Sequence, residues 1–210
     1  MLYDKEAIIC GLCGHSFEIE VLCCTHTEGS PDLDYRPAPM ERYTMNEWIN
    51  KCPACGYVCT RSRIKENAEI HRDFITTEAY LTCEGANLKK ELACDFYRHA
   101  LILIREGKTA EAYDAFLHAA WASDDECDEE GAIICRNKAV SVYRDEMFKG
   151  KGTLWLRHVD LLRRTHRFDE AIAFAKRLTV KKEPYISILK LQLKLCENRD
   201  AQCYCVDDCE

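Results

Sequence analysis

The stretch CPACGYVC, residues 52–59, places three cysteines within eight residues and decides how the N-terminal part of this chain folds. A second sequence of the same kind, CGLCG, lies at residues 10–14. In each CxxCG knuckle the two residues between the cysteines curl the backbone so that both sulfurs face one point. The glycine that follows permits a tight turn, and we expect its N–H to be available to a sulfur.

Four thiolates arranged as a tetrahedron form a stable structural zinc site. Cys10, Cys13, Cys52 and Cys55 supply that set, and each knuckle stands beside strand-like sequence. Four protein ligands close the coordination sphere, which favours a structural ion over a catalytic one. We therefore predict one structural Zn²⁺ held by these four cysteines, in a zinc-ribbon module that spans residues 1–61.

Two other chemistries fit part of this pattern. CPAC resembles the active dithiol of glutaredoxins, but that motif needs a helix after it. The sequence GYVCT that follows here, residues 56–60, favours a strand instead. Two CxxCG loops also resemble rubredoxin, and four thiolates do not by themselves distinguish iron from zinc. Iron therefore stays open as the alternative metal.

The chain holds more cysteines than one metal site needs, fifteen in all. Those in helical patterns are expected to be small buried apolar side chains. The further candidate ligands of the first site are Cys23, Cys24, His26 and Cys59. A second group, near the C-terminus, consists of Cys203, Cys205 and Cys209. This group fits either a second metal site or a lightly packed tail, and we expect the tail.

The net charge of the chain and the length of its apolar runs indicate which kinds of partner the protein can bind. The 210 residues carry a formal net charge of −7, and residues 1–60 contain nine carboxylates against four cations. Because nucleic-acid binding draws on cations that meet phosphates, we expect no nucleic-acid partner. No apolar run approaches the roughly 18–20 residues that span a membrane, and the N-terminus lacks the pattern of a signal peptide. We therefore expect a cytoplasmic protein without a membrane partner.

After residue 61 nearly all of the chain has helical spacing. Two segments, 93–126 and 152–185, align with each other as a helix, a tight turn and a second helix. Their large and small apolar positions resemble the tetratricopeptide repeat, a helix pair of about 34 residues. The two copies are offset by 59 residues, from Ala112 to Ala171, which is not a multiple of that repeat length.

The remaining features complete the predicted fold. One long helix is predicted within residues 127–151. Gly107 suits the left-handed end of the first helix, and Thr109 suits the cap of the next. We predict a mostly α, α+β protein in which the zinc-ribbon-like β module precedes a tetratricopeptide-like helical bundle or short solenoid over residues 62–210. A non-repetitive α-helical bundle is the alternative.

By analogy with tetratricopeptide repeats, the first helix of each pair would line a groove for a partner. The predicted lining residues are Tyr97, Leu101, Arg105, Leu156, Asp160, Arg163 and Arg164. The three arginines favour an acidic or C-terminal carboxylate partner, with a solvated charged face as the alternative. The loop sequence DLDYR, residues 32–36, fits either a binding spot or ion pairs that hold the loop in place, and we expect the ion pairs.

Taken together, these motifs are similar to those of a bacterial family, domain of unknown function 2225. CGLCG, DLDYR and CPACGYV occur in that order, followed by DFYRHAL, residues 95–101, and FLHAAWASDD, residues 116–125. The resemblance covers most of the chain and implies a zinc ribbon joined to a tetratricopeptide-like helical domain. It implies no activity, because none is established for the family. Cys23, Cys24 and Cys59 have no place in the family's pattern.

These observations predict a non-enzymatic zinc-binding adaptor with a protein or peptide partner. The sequence contains no phosphate-binding glycine loop, no G-x-S-x-G and no H-E-x-x-H, and we assign no catalytic residue. Two alternatives stay open. One is a redox-responsive or enzymatic protein that uses an exposed low-pKa cysteine, and the other is a nucleic-acid-binding zinc ribbon.

Overall fold

A computed structural model describes residues 2–148 and 154–209 of the chain. The fold begins with an antiparallel hairpin of two strands, β1 (Leu2–Ile9) and β2 (Ser16–Cys24). Ile8 lies opposite Phe17 in the register and is buried beneath the hairpin, whereas most of β1 is exposed. The alternation of apolar and polar residues in β2 produces this two-sided strand, so the strand predicted here is confirmed.

A second two-stranded sheet, β3 (Asn50–Lys51) with β4 (Val58–Cys59), flanks the second knuckle. The long segment between β2 and β3, residues 25–49, is called the excursion below. Near its end it forms a 3-10 helix, Glu41–Glu47. After β4 it passes through short helical turns that include α1 (Glu78–Leu81).

The longer helices make the described part of the chain mostly helical, as predicted. They are α2 (Glu91–Arg105), α3 (Thr109–Asp125), α4 (Glu129–Val142), α5 (Leu154–Arg164), α6 (Phe168–Ala175) and α7 (Tyr185–Glu197). Consecutive helices pack on one another from α2 to α7. The small N-terminal sheets and this helical part together give the α+β class.

Four helices end in the same way. One residue adopts the left-handed conformation, and the N–H of the next residue donates to the carbonyl five residues before that next residue. After α2 this residue is Gly107, with φ of +72°, and the Lys108 N–H donates to the Leu103 carbonyl at 2.9 Å. After α5 the equivalent residue is His166, with φ of +61°. Its position, 59 residues after Gly107, matches the offset between the two aligned segments. The other two are Cys127 after α3 and Arg199 after α7.

The predicted helix boundaries need two corrections. Thr109 is the first residue of α3 rather than its cap, which is Lys108. The second pair was predicted over residues 152–185, of which 152 and 153 lie outside the described residues. Its second helix ends at Ala175, because the chain turns there and passes through Pro184 before α7 begins. A buried cap, Asp128, which accepts the Gly131 N–H, sets the start of α4.

The apolar core of the cysteine module extends beyond the predicted boundary at residue 61. Ile64, Ile75 and Tyr80 are buried in one cluster with the knuckle residues Cys10 and Cys52. The Tyr80 hydroxyl also accepts the Val58 N–H at 3.1 Å. Residues 64–80 therefore pack with the cysteine module, and the predicted boundary does not coincide with a gap in the core.

The excursion between β2 and β3 reaches the C-terminal tail at the other end of the chain. The Leu33 N–H donates to the Tyr204 carbonyl, and the Val206 N–H donates to the Pro31 carbonyl, each at 2.9 Å. The fully buried Leu33 side chain packs in one cluster with Leu156, Ile188 and Leu195. The tail is therefore hydrogen-bonded to the excursion rather than lightly packed as predicted.

The DLDYR loop is held by ion pairs and hydrogen bonds, as expected. Arg36 binds Asp125 through both carboxylate oxygens, at 2.8 and 2.7 Å. Asp34, almost fully buried, accepts the Trp121 indole N–H at 2.7 Å. Asp32 pairs with Arg42 at 2.7 Å.

A leucine substitution tests the contact between the excursion and the C-terminal helices. Leu33→Ala leaves a cavity among large apolar side chains, so we expect it to lower the free energy of unfolding by about 2–5 kcal/mol. Leu2→Ala makes the same chemical change at a position that is 61% exposed, and we expect it to cost less than about 0.5 kcal/mol. Urea titration of the metal-loaded protein measures both. Equal costs for the two variants would contradict the packing of Leu33.

Candidate metal centre

The two knuckles bring their four thiols together at one point. The Sγ atoms of Cys10, Cys13, Cys52 and Cys55 all lie within 4.8 Å of one another. The Cys10 and Cys55 sulfurs are 3.8 Å apart, and those of Cys13 and Cys52 are 3.6 Å apart. The sequence prediction that these four residues form one site is therefore confirmed as a cluster that could hold a metal ion.

This spacing fits a tetrahedral metal ion. An ion with metal–sulfur bonds of about 2.3 Å holds its sulfurs about 3.8 Å apart, which agrees with the two measured pairs. The pairs also join opposite knuckles, so an ion at the centre links the two loops. Zinc and iron both accept four thiolates at such distances, so the geometry fits either metal.

The backbones of the knuckles repeat each other. In the first, the Cys10 N–H donates to the His15 carbonyl and the Gly14 N–H donates to the Cys10 carbonyl. In the second, Cys52 and Gly56 make the equivalent bonds to Tyr57 and Cys52. Gly14 and Gly56 have φ values of +75° and +74°, which a residue with a side chain rarely adopts. Each glycine is thus required by the turn.

The sequence analysis expected the N–H of each of these glycines to be available to a sulfur. In the structure, the backbone N–H groups that face the sulfurs belong to other residues. His15 donates its N–H to the Cys13 sulfur, and this bond lowers the pKa of the Cys13 thiol. Burial raises the pKa of Cys52 and Cys55, against the opposing effect of backbone hydrogen bonds at each sulfur. These raised pKa values favour the thiol forms of the two side chains. A bound cation would favour the thiolate forms.

The first knuckle is covered by a segment whose role was not visible in the sequence. Gly11 donates its N–H to the Ile64 carbonyl at 2.8 Å and accepts the Ala68 N–H at 3.3 Å. A Cβ atom on Gly11 would lie 1.7 Å from the Glu66 carbonyl oxygen. The residue that follows Cys10 must therefore be glycine, because another part of the backbone occupies the space that a side chain would need.

The extra candidate ligands lie outside the cluster. Cys59 is fully buried in β4 within the core of the module, where burial raises the pKa of its thiol. Cys23 and Cys24 are exposed at the end of β2, and His26 pairs with Glu28 at 3.1 Å. The residues after CPACG form β4 rather than a helix, as the sequence indicated, so the helix that the glutaredoxin motif needs after its dithiol is absent there.

The C-terminal cysteines do not gather into a second metal centre. Cys203 is exposed, whereas Cys205 and Cys209 are half-buried, and an isolated bridge joins Cys205 to Asp32. Throughout residues 2–148 and 154–209, the cluster of four thiols is the one group of three or more metal-binding side chains close enough to share an ion.

The groove predicted from the helices is not formed by the predicted residues. Five of them, Tyr97, Leu101, Leu156, Asp160 and Arg163, are less than a tenth exposed. The reason is that α2 and α5 are packed between neighbouring elements. Arg163, for example, binds Asp160 at 2.7 Å and donates to the Asp200 and Gln202 carbonyls.

The two remaining groove residues also have partners. Arg164 lies 3.3 Å from Asp124 across the α3–α5 contact. Arg105 is exposed, with its guanidinium 4.5 Å from the centre of the Phe74 ring. The arginines therefore stabilise the fold, and the expectation of an acidic partner, which rested on them, loses its basis.

Comparison with protein-family models, with curated proteins and with solved structures found no match to this chain. Among the described residues, no helix combines the length and the apolar character needed to cross a membrane.

Elemental analysis of protein purified without added metal tests the centre. We expect about one zinc per chain, because four thiolates supply a complete tetrahedral ligand set. Cys52→Ser should abolish stoichiometric zinc and expose residues 2–80 to proteolysis. Cys59→Ser removes an equally buried thiol from the same module and should retain the metal. Metal-free wild-type protein would overturn the centre, and bound iron would overturn the choice of zinc.

Proposed function

We propose that the protein is a non-enzymatic interaction adaptor whose N-terminal module is held together by one structural Zn²⁺. The observation that carries the metal's structural role is the closed set of four thiols. Four protein ligands leave no coordination position for a substrate or an activated water. The metal then fixes the position of the surfaces that its module presents to a partner.

The surface best suited to a partner lies beside β2. A groove of about 420 Å³ runs between β2 and the segment that leads to the second knuckle. Four consecutive residues, 17–20, line it, as expected when a strand presents its edge rather than one face. In the described sheet, β1 is the one neighbour of β2, so the other edge of β2 offers its backbone to an added strand.

The charge of this β2 groove favours a basic partner. Glu18, Glu20 and Glu47 line it and make no ion pair within the described residues. The one cation of the lining, Lys51, is bound to Glu91. Burial, and then the nearby Glu20, raise the pKa of Glu47, and its Oε2 is buried with no hydrogen-bond partner in the described structure. An extended segment with lysine or arginine at alternate positions would supply the missing partners.

The helical part supports the adaptor proposal less directly. The α2–α3 and α5–α6 pairs share the same turn geometry, which supports a tetratricopeptide-like origin. The interposed α4 and the irregular segment after Ala175 depart from a regular array. Membership of the domain of unknown function 2225 family and a cytoplasmic location stay predictions. The order of the knuckles and the helical motifs supports the first of these.

A peptide titration tests the proposed partner surface. We expect the peptide KTKTKTK to bind the zinc-loaded protein and ETETETE not to bind, with affinity that falls as salt is added. Glu18→Lys combined with Glu20→Lys should weaken binding at least about tenfold, whereas Glu130→Lys, an exposed acid on α4, should have no effect. Fluorescence anisotropy of the labelled peptides measures binding to the wild-type protein, the double variant and the control variant. Equal binding of the acidic peptide, or no binding of either, would contradict the proposal.

A redox role for the surplus cysteines is the second candidate, and one contact favours it. The Cys83 sulfur is 3.6 Å from the Cys94 carbonyl oxygen, and the adjacent Cys83 side chain lowers the pKa of the half-buried Cys94 thiol. Timed alkylation of the zinc-loaded protein at pH 7 distinguishes the two candidates. The adaptor predicts that the exposed Cys23, Cys24 and Cys127 react before the half-buried Cys94. Faster modification of Cys94 would favour the redox role.

A further inference from the structure

A cavity of about 340 Å³ lies where the cysteine module meets the α2–α3 pair. We call it the junction cavity. Its lining residues are Trp48, Ile49 and Thr60 from the N-terminal part, Phe96, His99 and Leu103 from α2, and Glu111, Asp114, Ala115 and His118 from α3. Cavities of this size that join two structural units are common sites for small ligands or single side chains.

Much of the wall is aromatic and apolar. The His118 ring meets both Trp48 and Phe96 edge to face, with ring centres 5.2 Å apart in each case. The Trp48 indole N–H is directed away from a ligand, because it donates to the Thr44 hydroxyl at 3.1 Å. These side chains therefore offer the junction cavity apolar surface and aromatic rings.

The two imidazoles of the lining carry no charge at neutral pH. Burial lowers the pKa of His99 to about 4 and that of His118 to about 3, so both rings are neutral at pH 7. His99 is 5% exposed and donates one ring N–H to the Val58 carbonyl. Its other nitrogen, Nδ1, is buried without a hydrogen-bond partner among the described residues. Nδ1 is therefore enclosed by the protein and is not open to a ligand in the cavity.

The charged groups of the lining are both carboxylates. Asp114 is paired with Arg157 at 2.6 Å, whereas Glu111 is exposed and makes no ion pair within the described residues. The cations Arg63 and Lys108 act on His99 from outside the cavity, and both are bound to Glu106. The lining thus combines neutral imidazoles, one unpaired negative charge and apolar walls.

We propose that the junction cavity binds an alkylammonium group, a primary ammonium on a short apolar stem. The ammonium pairs with Glu111, and the stem packs against Phe96, Leu103 and Trp48. Such a group occurs both in free amines and in the lysine side chain of a protein. The site is separate from the β2 groove and goes beyond the adaptor proposal, since it requires no protein partner.

A metal ion fits this cavity less well than an organic cation. No three of the imidazoles and carboxylates of the lining come close enough together to share an ion, and in the described parts of the chain the four thiols are the one group of three or more that does. A neutral ligand would leave Glu111 without a partner. The aromatic walls also suit a cation with attached methylene groups.

Calorimetric titration of the zinc-loaded protein with n-butylammonium tests the proposal, with butan-1-ol and butyrate as neutral and anionic controls of the same length. We expect saturable one-to-one binding of the ammonium, and at least about tenfold weaker binding of both controls. Glu111→Gln should weaken ammonium binding at least about tenfold, whereas Glu130→Gln on α4 should leave it unchanged. Equal binding of butan-1-ol, or an unaffected Glu111→Gln variant, would overturn the proposal.

A second variant tests the site by its volume rather than its charge. Ala115→Leu fills part of the cavity, and we expect it to abolish ammonium binding while zinc content and helical circular dichroism stay unchanged. If that variant unfolds, Glu111→Gln still decides the question.

Lysine capped at both backbone ends, compared with 1,5-diaminopentane, separates the two sources of ligand. Tighter binding of capped lysine assigns a protein side chain, and tighter binding of the diamine assigns a free amine.

Discussion

The meeting of two cysteine pairs, 39 and 45 residues apart in the chain, is the contact on which the N-terminal part of this protein depends. The β1–β2 hairpin is mostly exposed, and the second sheet has two residues in each strand. Sheets of this size bury too little apolar surface to be stable alone. A metal ion bound at the four thiols would add the free energy of coordination to that of folding and would close the long excursion at its base.

The far end of the excursion is fixed by interactions of another kind. Leu33 is buried among the C-terminal helices, and the neighbouring carboxylate of Asp34 accepts the Trp121 indole N–H. Asp34 also lies near Arg136 and Arg164, which both pair with Asp124. Removing one member of such a buried network leaves another charge unpaired, which is costly. The network therefore specifies where the excursion docks, while Leu33 supplies apolar burial.

One short segment connects the metal to both proposed binding surfaces. Residues 46–50 lie just before Cys52, and they line the β2 groove on one side and the junction cavity on the other. Their position depends on the second knuckle that follows and on the excursion that precedes them. A structural metal can thus control binding without touching either ligand, because it fixes the wall that the two sites share.

The sequence by itself determined the elements with local signals. The CxxCG spacing identified four cysteines that the structure brings together, the alternation in β2 indicated a strand, and Gly107 marked a helix end. The sequence did not predict the contacts between segments that are far apart in the chain. Three further helix ends use non-glycine residues, Gly11 is required by the backbone of Glu66, and the predicted groove residues are buried. Ligand spacing and periodicity are properties of neighbouring residues. Burial, the docking of the tail and the junction cavity depend on segments far apart in the chain, so only the tertiary structure decided them.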